Sequence, residues 1–436
     1  MELINSKSRA LPIIIGLALA FNTVQIQIHC ADAAELSDGP APHFLLPKSH
    51  LDPDELGIIV NRESPESAKI ARYFSKARGV PEENIFTVAL PTDKAVISKA
   101  EFLKTYNSLN KKLPDTIQAL ILTWTLPYRV DCMSITSAYA LGFDKAYCAS
   151  GCKATKPSPY FSSDSRRPFF DYGIRPAIML AGRNFASIKN VIDRGVESDA
   201  SYPKGTGYLV TTGDKTRNTR AYVYDALISQ MDGAVGLKKI QAEYIKDKKD
   251  VLFYFTGAVN VPKLASNRFL PGAIADHLTS KGGYLDGSDQ MNSLNWLDAG
   301  ATATYGTVVE PCNFPQKFPN PGVVISRYAR GESLLEAYWK SVQMPGQGIF
   351  IGEPLANPFK GYTVAVSDDS VSILTRTLSP GRYVILGAKF PVGPYRKPVT
   401  TFGVTGHGIQ RFTIPKTNDK YYRVLRINPP NTPVSG

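Results

Sequence analysis

The chain is poor in the residues that usually announce a catalytic or metal centre. Among 436 residues there are five histidines, five cysteines and three tryptophans. The sequence contains no HExxH pair, no GxSxG elbow and no EF-hand loop, and Asp286, Asp289 and Asp298 are too sparse to hold calcium alone. The histidines left after position 33, His43, His50, His277 and His407, are scattered too widely for a three-histidine metal site. GYLVTTGDKT at 207–216 has the wrong glycine spacing for a phosphate loop, and Asp214 before Lys215 would set a carboxylate beside any phosphate. No motif in the chain asks for a cofactor. Beyond the N-terminus no apolar run approaches the roughly 20 residues of a membrane helix, so no membrane span is expected in the mature chain.

What is present is enough apolar material for a large core: 43% hydrophobic and 10% aromatic residues against 20% charged. That excludes a disordered polymer, and the length suggests two or three domains. Residues 1–33 read as a secretory signal peptide, with Lys7 and Arg9, the apolar stretch Leu11 to Phe21, and the small-residue site Ala31-Asp32-Ala33. Removing them deletes two basic and two acidic residues and leaves the net charge of +12 unchanged. A secreted or periplasmic location is therefore expected. The charge favours an acidic polysaccharide or an acidic envelope protein as partner. Nucleic acid is not expected in that compartment.

Four cysteines follow the signal segment: Cys132, Cys148, Cys152 and Cys312. In an exported chain an even count points to disulfides, with three possible pairings. Cys148 and Cys152 bracket the flexible Ala149-Ser150-Gly151, which favours a local bridge and leaves Cys132 for Cys312. Zinc is the weaker alternative, because neither pair is C-x-x-C and no histidine lies nearby.

After a lead at 34–55, short apolar runs alternate with amphipathic segments from 56 to 360, the pattern of an α/β domain with a mostly parallel, doubly wound sheet. Leu56 to Val60 reads as a strand. Ser64 then caps a helix with Pro65 at its first position and Ile70, Tyr73, Phe74 and Ala77 on one face. Ser98 and Glu101 form a capping box, and Ile117 to Trp124 reads as a central strand. Residues 125–173 form a long excursion carrying three of the four cysteines. Later come strands at 207–212, 251–256 and 301–309, a basic helix near 237–248, a Gly-rich stretch over 271–287 in which His277 sits on a helix with Ile274 and Leu278, and helices around 322–342. From Gly361 the period changes to two, predicting a small sandwich-like all-β domain over 361–436.

Gly300 to Asn320 (GATATYGTVVEPCNFPQKFPN), Arg330-Gly331-Glu332, Glu336 to Trp339 and Pro345 to Pro358 (PGQGIFIGEPLANP) resemble an uncharacterised family of exported bacterial proteins found in genomes that carry the exosortase sorting system. The resemblance extends back to VNRESPES and GVPEENI near 60 and 80, about 300 residues, and implies a cell-envelope or exopolysaccharide role without a known activity. More distantly, the strand order, Gly352-Glu353-Pro354-Leu355 and the helix start at Arg330 to Leu334 resemble gingipain-like peptidases of the caspase fold. Those enzymes place His-Gly after one central strand and a nucleophilic cysteine after the next. The matching stretches here are Phe255 to Asn260, without histidine, and Ala275 to Gly282, with Asp276, His277, Thr279 and Ser280 but no cysteine. The resemblance implies that fold without its dyad.

The site candidates lie where strands of an open sheet end. Glu310 and Cys312 follow the strand at 301–309; Asp131 and Arg129 follow the central strand and are expected at the same crevice. A carboxylate pair with an arginine could do acid/base work, although an ordinary ion pair is the simpler reading. His277 is a candidate base and Cys312 a candidate nucleophile, each against a structural role. Arg129 and Tyr305 are the candidates to contact a ligand, with Tyr305, like Trp124, Tyr128 and Trp339, competing for a place in the core. These residues support two expectations: a non-peptidase binding protein, or a hydrolase working at the strand ends.

Overall fold

The computed structural model describes residues 41–149, 151–231 and 233–427; the expected signal peptide at 1–33 lies outside the described residues. Ten strands make the main sheet: β1 Leu56–Asn61, β2 Ile85–Val88, β3 Ala119–Leu122, β4 Ala177–Met179, β5 Thr206–Thr211, β6 Gly236–Gln241, β7 Val251–Gly257, β8 Phe269–Leu278, β9 Ala303–Thr307 and β10 Gly348–Gly352. Their spatial order is β6-β5-β7-β8-β9-β10-β4-β3-β1-β2. Neighbours are parallel throughout except β9 and β10, which pair antiparallel. The sheet is thus two parallel halves running in opposite senses. The strands of one half end at one edge, and those of the other half end at the opposite edge.

The helices form where local signals agree. In α1 (Pro65–Arg78) the Ser64 side chain accepts from the Ser67 amide, Pro65 opens the first turn, and Gly79 closes the helix at a positive φ of 70°. In α2 (Lys99–Asn110) the Ser98/Glu101 capping box is complete. The excursion at 125–173 is more ordered than its sequence suggests. It contains α3 (Ile135–Leu141), built of small residues and buried on nearly all sides, so that no amphipathic stripe marks it. Its distal part is fixed by α4 (Pro321–Ala329) and α5 (Leu334–Ser341): Arg327 Nη2 donates to Ser162 O at 2.6 Å and Lys340 Nζ to Ser165 O at 2.8 Å.

Both faces of the sheet are covered. Along β5, β7 and β8, Leu209, Phe253, Phe255 and Ile274 join the main core, while Tyr208, Val210, Tyr254, Ala273 and Ala275 join a second core on the other face. The same geometry corrects two expected helices. Residues 236–241 are the edge strand β6: Leu237 packs toward one core and Ile240 toward the other, which a strand allows and one helix face does not. Its lysines, Lys238 and Lys239, suit an unprotected edge. Residues 269–278 are β8, paired with β7 on one side and β9 on the other; Ile274 and Leu278, four apart, share a face in a strand as well as in a helix, so their spacing does not separate the two.

The C-terminal region is a two-sheet sandwich. Its strands are β11 Tyr362–Val366, β12 Ser370–Thr375, β13 Gly381–Ala388, β14 Lys397–Val404, β15 Gln410–Pro415 and β16 Tyr421–Ile427. One sheet is β11-β12-β15; the other is β16-β13-β14 with a seventh strand, His43–Leu45, added parallel to β16. The lead at 34–55 is therefore partly a piece of this sandwich, with Phe44 in its core beside Ile373, Ile385, Tyr422 and Val424. Among the described residues no helix is long and apolar enough to cross a membrane.

Candidate functional site

A pocket of about 280 Å³ opens at the edge where β5, β7, β8 and β9 end. The loop after β5 contributes Thr216 and Arg217, the end of β8 contributes Thr279 and Ser280, and the segment after β9 contributes Glu310 and Cys312. Cys152, brought over from the excursion, completes one wall. The backbone allows this convergence through Gly257 at the end of β7, where a Cβ would collide with the Arg217 carbonyl.

The polar groups are organised by one another. Arg217 donates from Nε to Thr279 Oγ1 at 3.2 Å and from Nη1 to Asp214 Oδ2 at 2.6 Å. Its Nη2 has no hydrogen-bond partner among the described residues. Thr279 in turn donates to Gln290 Oε1 at 2.8 Å. Glu310 Oε1 accepts from Ser280 Oγ at 3.1 Å and from the Cys312 amide at 2.7 Å, while Gln347 Nε2 holds the Glu310 carbonyl at 2.6 Å. Beneath the pocket Arg220 and Asp276 form a buried ion pair at 2.6 Å, and Arg220 Nη2 caps Thr256 O at 2.9 Å, tying the ends of β7 and β8 together. Burial pushes the Asp276 carboxyl above its usual range, and the charge of Arg220 opposes that push.

The disulfides correct the expected pairing. Cys132 is bonded to Cys148 and Cys152 to Cys312, with Cα atoms 5.4 Å apart in each case. The short, flexible Ala149-Ser150-Gly151 spacer favours a local Cys148–Cys152 bridge only as far as sequence distance decides the pairing. Folded, the excursion lays Cys148 against Cys132 and carries Cys152 to the sheet edge. Cys312 is consequently not a thiol and cannot serve as a nucleophile in this state.

His277 does not reach the pocket. It is 1% exposed in β8; Trp296 Nε1 donates to its Nδ1 at 2.9 Å, and its Nε2 lies 3.1 Å from Met291 O. Both nitrogens are spent on a neutral ring. Burial pushes the imidazole pKa down to about 3 despite the Met291 hydrogen bond. Tyr305 is also withdrawn from any ligand: it is fully buried in β9 and donates to Lys317 O at 2.6 Å. Trp124, Tyr128 and Trp339 are core residues as well.

Asp131 and Glu310 are not brought together. β3 and β9 lie in opposite halves of the sheet and end at opposite edges, so sharing a strand-end position does not place their loops in one crevice. The chain after β3 doubles back far enough for Arg129 Nη1 to reach Val308 O at 3.1 Å, two residues before Glu310. Asp131 stays exposed and accepts from the Lys99 amide at 3.2 Å, at the start of α2. Arg217 and Thr216 were not among the sequence candidates. The available signal was their position just after β5, next to the rejected phosphate-loop pattern.

No protein-family model matches the chain, and no curated protein matches it. A solved structure described as "Structure of Protease" aligns over 87% of this chain and 98% of its own, with 13% identity and a TM-score of 0.37. At that score the likeness carries no conclusion about fold or activity.

Proposed function

We propose that this chain is an exported, non-peptidase binding protein of caspase-like architecture, acting in a cell-envelope or exopolysaccharide process through the pocket at the ends of β5, β8 and β9. The observation that carries the reading is the state of the two groups a thiol peptidase would need. Cys312 is consumed by Cys152 at the pocket wall, and His277 is sealed in the core with both nitrogens bonded. The adjacent central strands β7 and β8 end in Gly257-Ala258 and Thr279-Ser280, where gingipain-like peptidases keep histidine and cysteine. What remains is a recognition set: the Arg217 guanidinium with a free Nη2 and the Thr216 hydroxyl, beside Thr279 and Ser280, whose protons go to Gln290 and Glu310 and whose oxygens can only accept. That set suits an acidic, hydroxyl-rich ligand such as a uronate-bearing glycan. Export is supported by the two disulfides and by the signal-like N-terminus.

Calorimetric titration with polygalacturonate and with neutral dextran tests it. The expected result is binding to the uronate polymer alone, weakened at least tenfold by Arg217→Gln, with no turnover of glycan or peptide substrates. Equal binding by wild type and Arg217→Gln would remove the pocket from the account.

A hydrolase is the second reading, favoured by the Ser280–Glu310 hydrogen bond at a strand end. The Cys312 amide also donates to that carboxylate oxygen, so the oxygen that would take the Ser280 proton already accepts a second hydrogen bond. Turnover abolished by Ser280→Ala would establish this reading in place of the first.

A further inference from the structure

The net charge of the protein is concentrated at one end of it. Over residues 361–427 there are ten lysines and arginines against Asp368, Asp369 and Asp419, and no acidic residue occurs between Asp369 and Asp419. From this basic sandwich the hairpin joining β13 to β14 projects as the segment KFPVGPYRK, residues 389–397. Phe390 is 64% exposed and Val392 93%, at a tip where folding would ordinarily bury such side chains or replace them by polar ones.

The tip is held in this presentation by its own contacts. The Gly393 amide donates to Phe390 O at 3.0 Å, and Tyr395 Oη donates to Pro391 O at 2.8 Å. The Arg423 guanidinium lies 4.7 Å from the Tyr395 ring centroid, fixing the inner side of the loop. Lys389, Arg396 and Lys397 flank the two apolar side chains. An apolar point inside a basic collar is the arrangement that inserts side chains at a lipid headgroup boundary while lysine and arginine pair with phosphates.

We propose that the β13–β14 hairpin is a docking point for an anionic phospholipid bilayer, with Phe390 and Val392 entering the interface and Lys389, Arg396 and Lys397 meeting lipid phosphates. A soluble polyanion would explain the charge but gives Phe390 and Val392 nothing to bury against. The surface lies in the sandwich, so this proposal stands or falls independently of the strand-end pocket.

Flotation of the full chain with vesicles tests it, using phosphatidylcholine alone and phosphatidylcholine mixed with phosphatidylglycerol. Wild type is expected to float with the mixed vesicles and not with pure phosphatidylcholine, and to be released by high salt. The pair Phe390→Ser/Val392→Ser, with an unchanged unfolding midpoint, should weaken partitioning at least tenfold. Lys389→Glu/Arg396→Glu/Lys397→Glu should weaken it about 100-fold or more. Phe390→Trp should show a blue-shifted emission on the mixed vesicles. Failure of wild type to float, or flotation equally strong in the Phe390→Ser/Val392→Ser variant, would overturn the proposal; the second outcome, together with capture by polygalacturonate, would assign the charge to an acidic polymer instead.

Discussion

His277 gives the sharpest physical test of how the site region is built. A histidine free in the unfolded chain titrates near 6.5, whereas burial holds the folded imidazole at about 3. Its folded pKa is depressed, and the neutral ring is the form that fits between Trp296 and Met291. The contribution to stability is therefore fully present above about pH 6.5 and is lost as the pH falls from there toward 3. Between pH 7.5 and pH 5 the unfolded histidine becomes almost wholly protonated while the folded one does not. The protein should lose about 2 kcal/mol over that interval through this residue alone. His277→Gln keeps an acceptor and a donor but does not titrate. Urea unfolding of wild type and variant at pH 7.5, 6.5 and 5 should show the wild-type advantage shrinking by that amount. Parallel stability profiles for the two proteins would refute the sealed, neutral histidine and reopen its candidacy as a base.

Other expectations follow from the same geometry. Bridge closure in the unfolded chain scales with loop length, so replacing Cys152 and Cys312, 160 positions apart, by serine should cost about 5 kcal/mol; replacing Cys132 and Cys148, 16 apart, should cost about 3, both read from urea unfolding. Lys317 is buried with no hydrogen-bond partner for its amine among the described residues, and burial lowers its pKa to about 8. Its charge thus works against folding below pH 8, and the penalty fades as the pH rises toward 10.5. Lys317→Met should stabilise the protein by about 2 kcal/mol at pH 7 and by much less at pH 10.5, in thermal or urea melts at the two pH values. Arg78 clamps the fully buried Glu353 through Nε at 2.8 Å and Nη2 at 2.6 Å, so Arg78→Met should destabilise by about 3–5 kcal/mol, and Arg78→Met/Glu353→Met by less.

The amount of structure legible in the sequence depended on how local its cause was. The Ser64 cap, Pro65, the Ser98/Glu101 box and the period-two strands after Gly361 are set by neighbours within four residues, and all appear where those signals placed them. The segment of β8 reads as a helix because Ile274 and Leu278 satisfy both periods, and it is a strand because it pairs with β7 and β9. The pairing of Cys152 with Cys312 and the separation of Asp131 from Glu310 are consequences of sheet topology, above all of the antiparallel β9–β10 contact, which has no local signature. Arg217 went unseen for the same reason: its partner Thr279 is 62 residues away.

The state of Cys312 decides between the binding account and a thiol enzyme, and a tryptic digest of the unreduced protein reports it directly. Cleavage after Arg129, Lys145, Lys153, Lys281 and Lys317 leaves Cys148 and Cys152 on one peptide, 146–153, flanked by separate peptides for Cys132 and Cys312. The account predicts one species in which 130–145, 146–153 and 282–317 are joined and which falls into three on reduction. Recovery of 282–317 as a single peptide whose Cys312 had been alkylated in the native protein would contradict it.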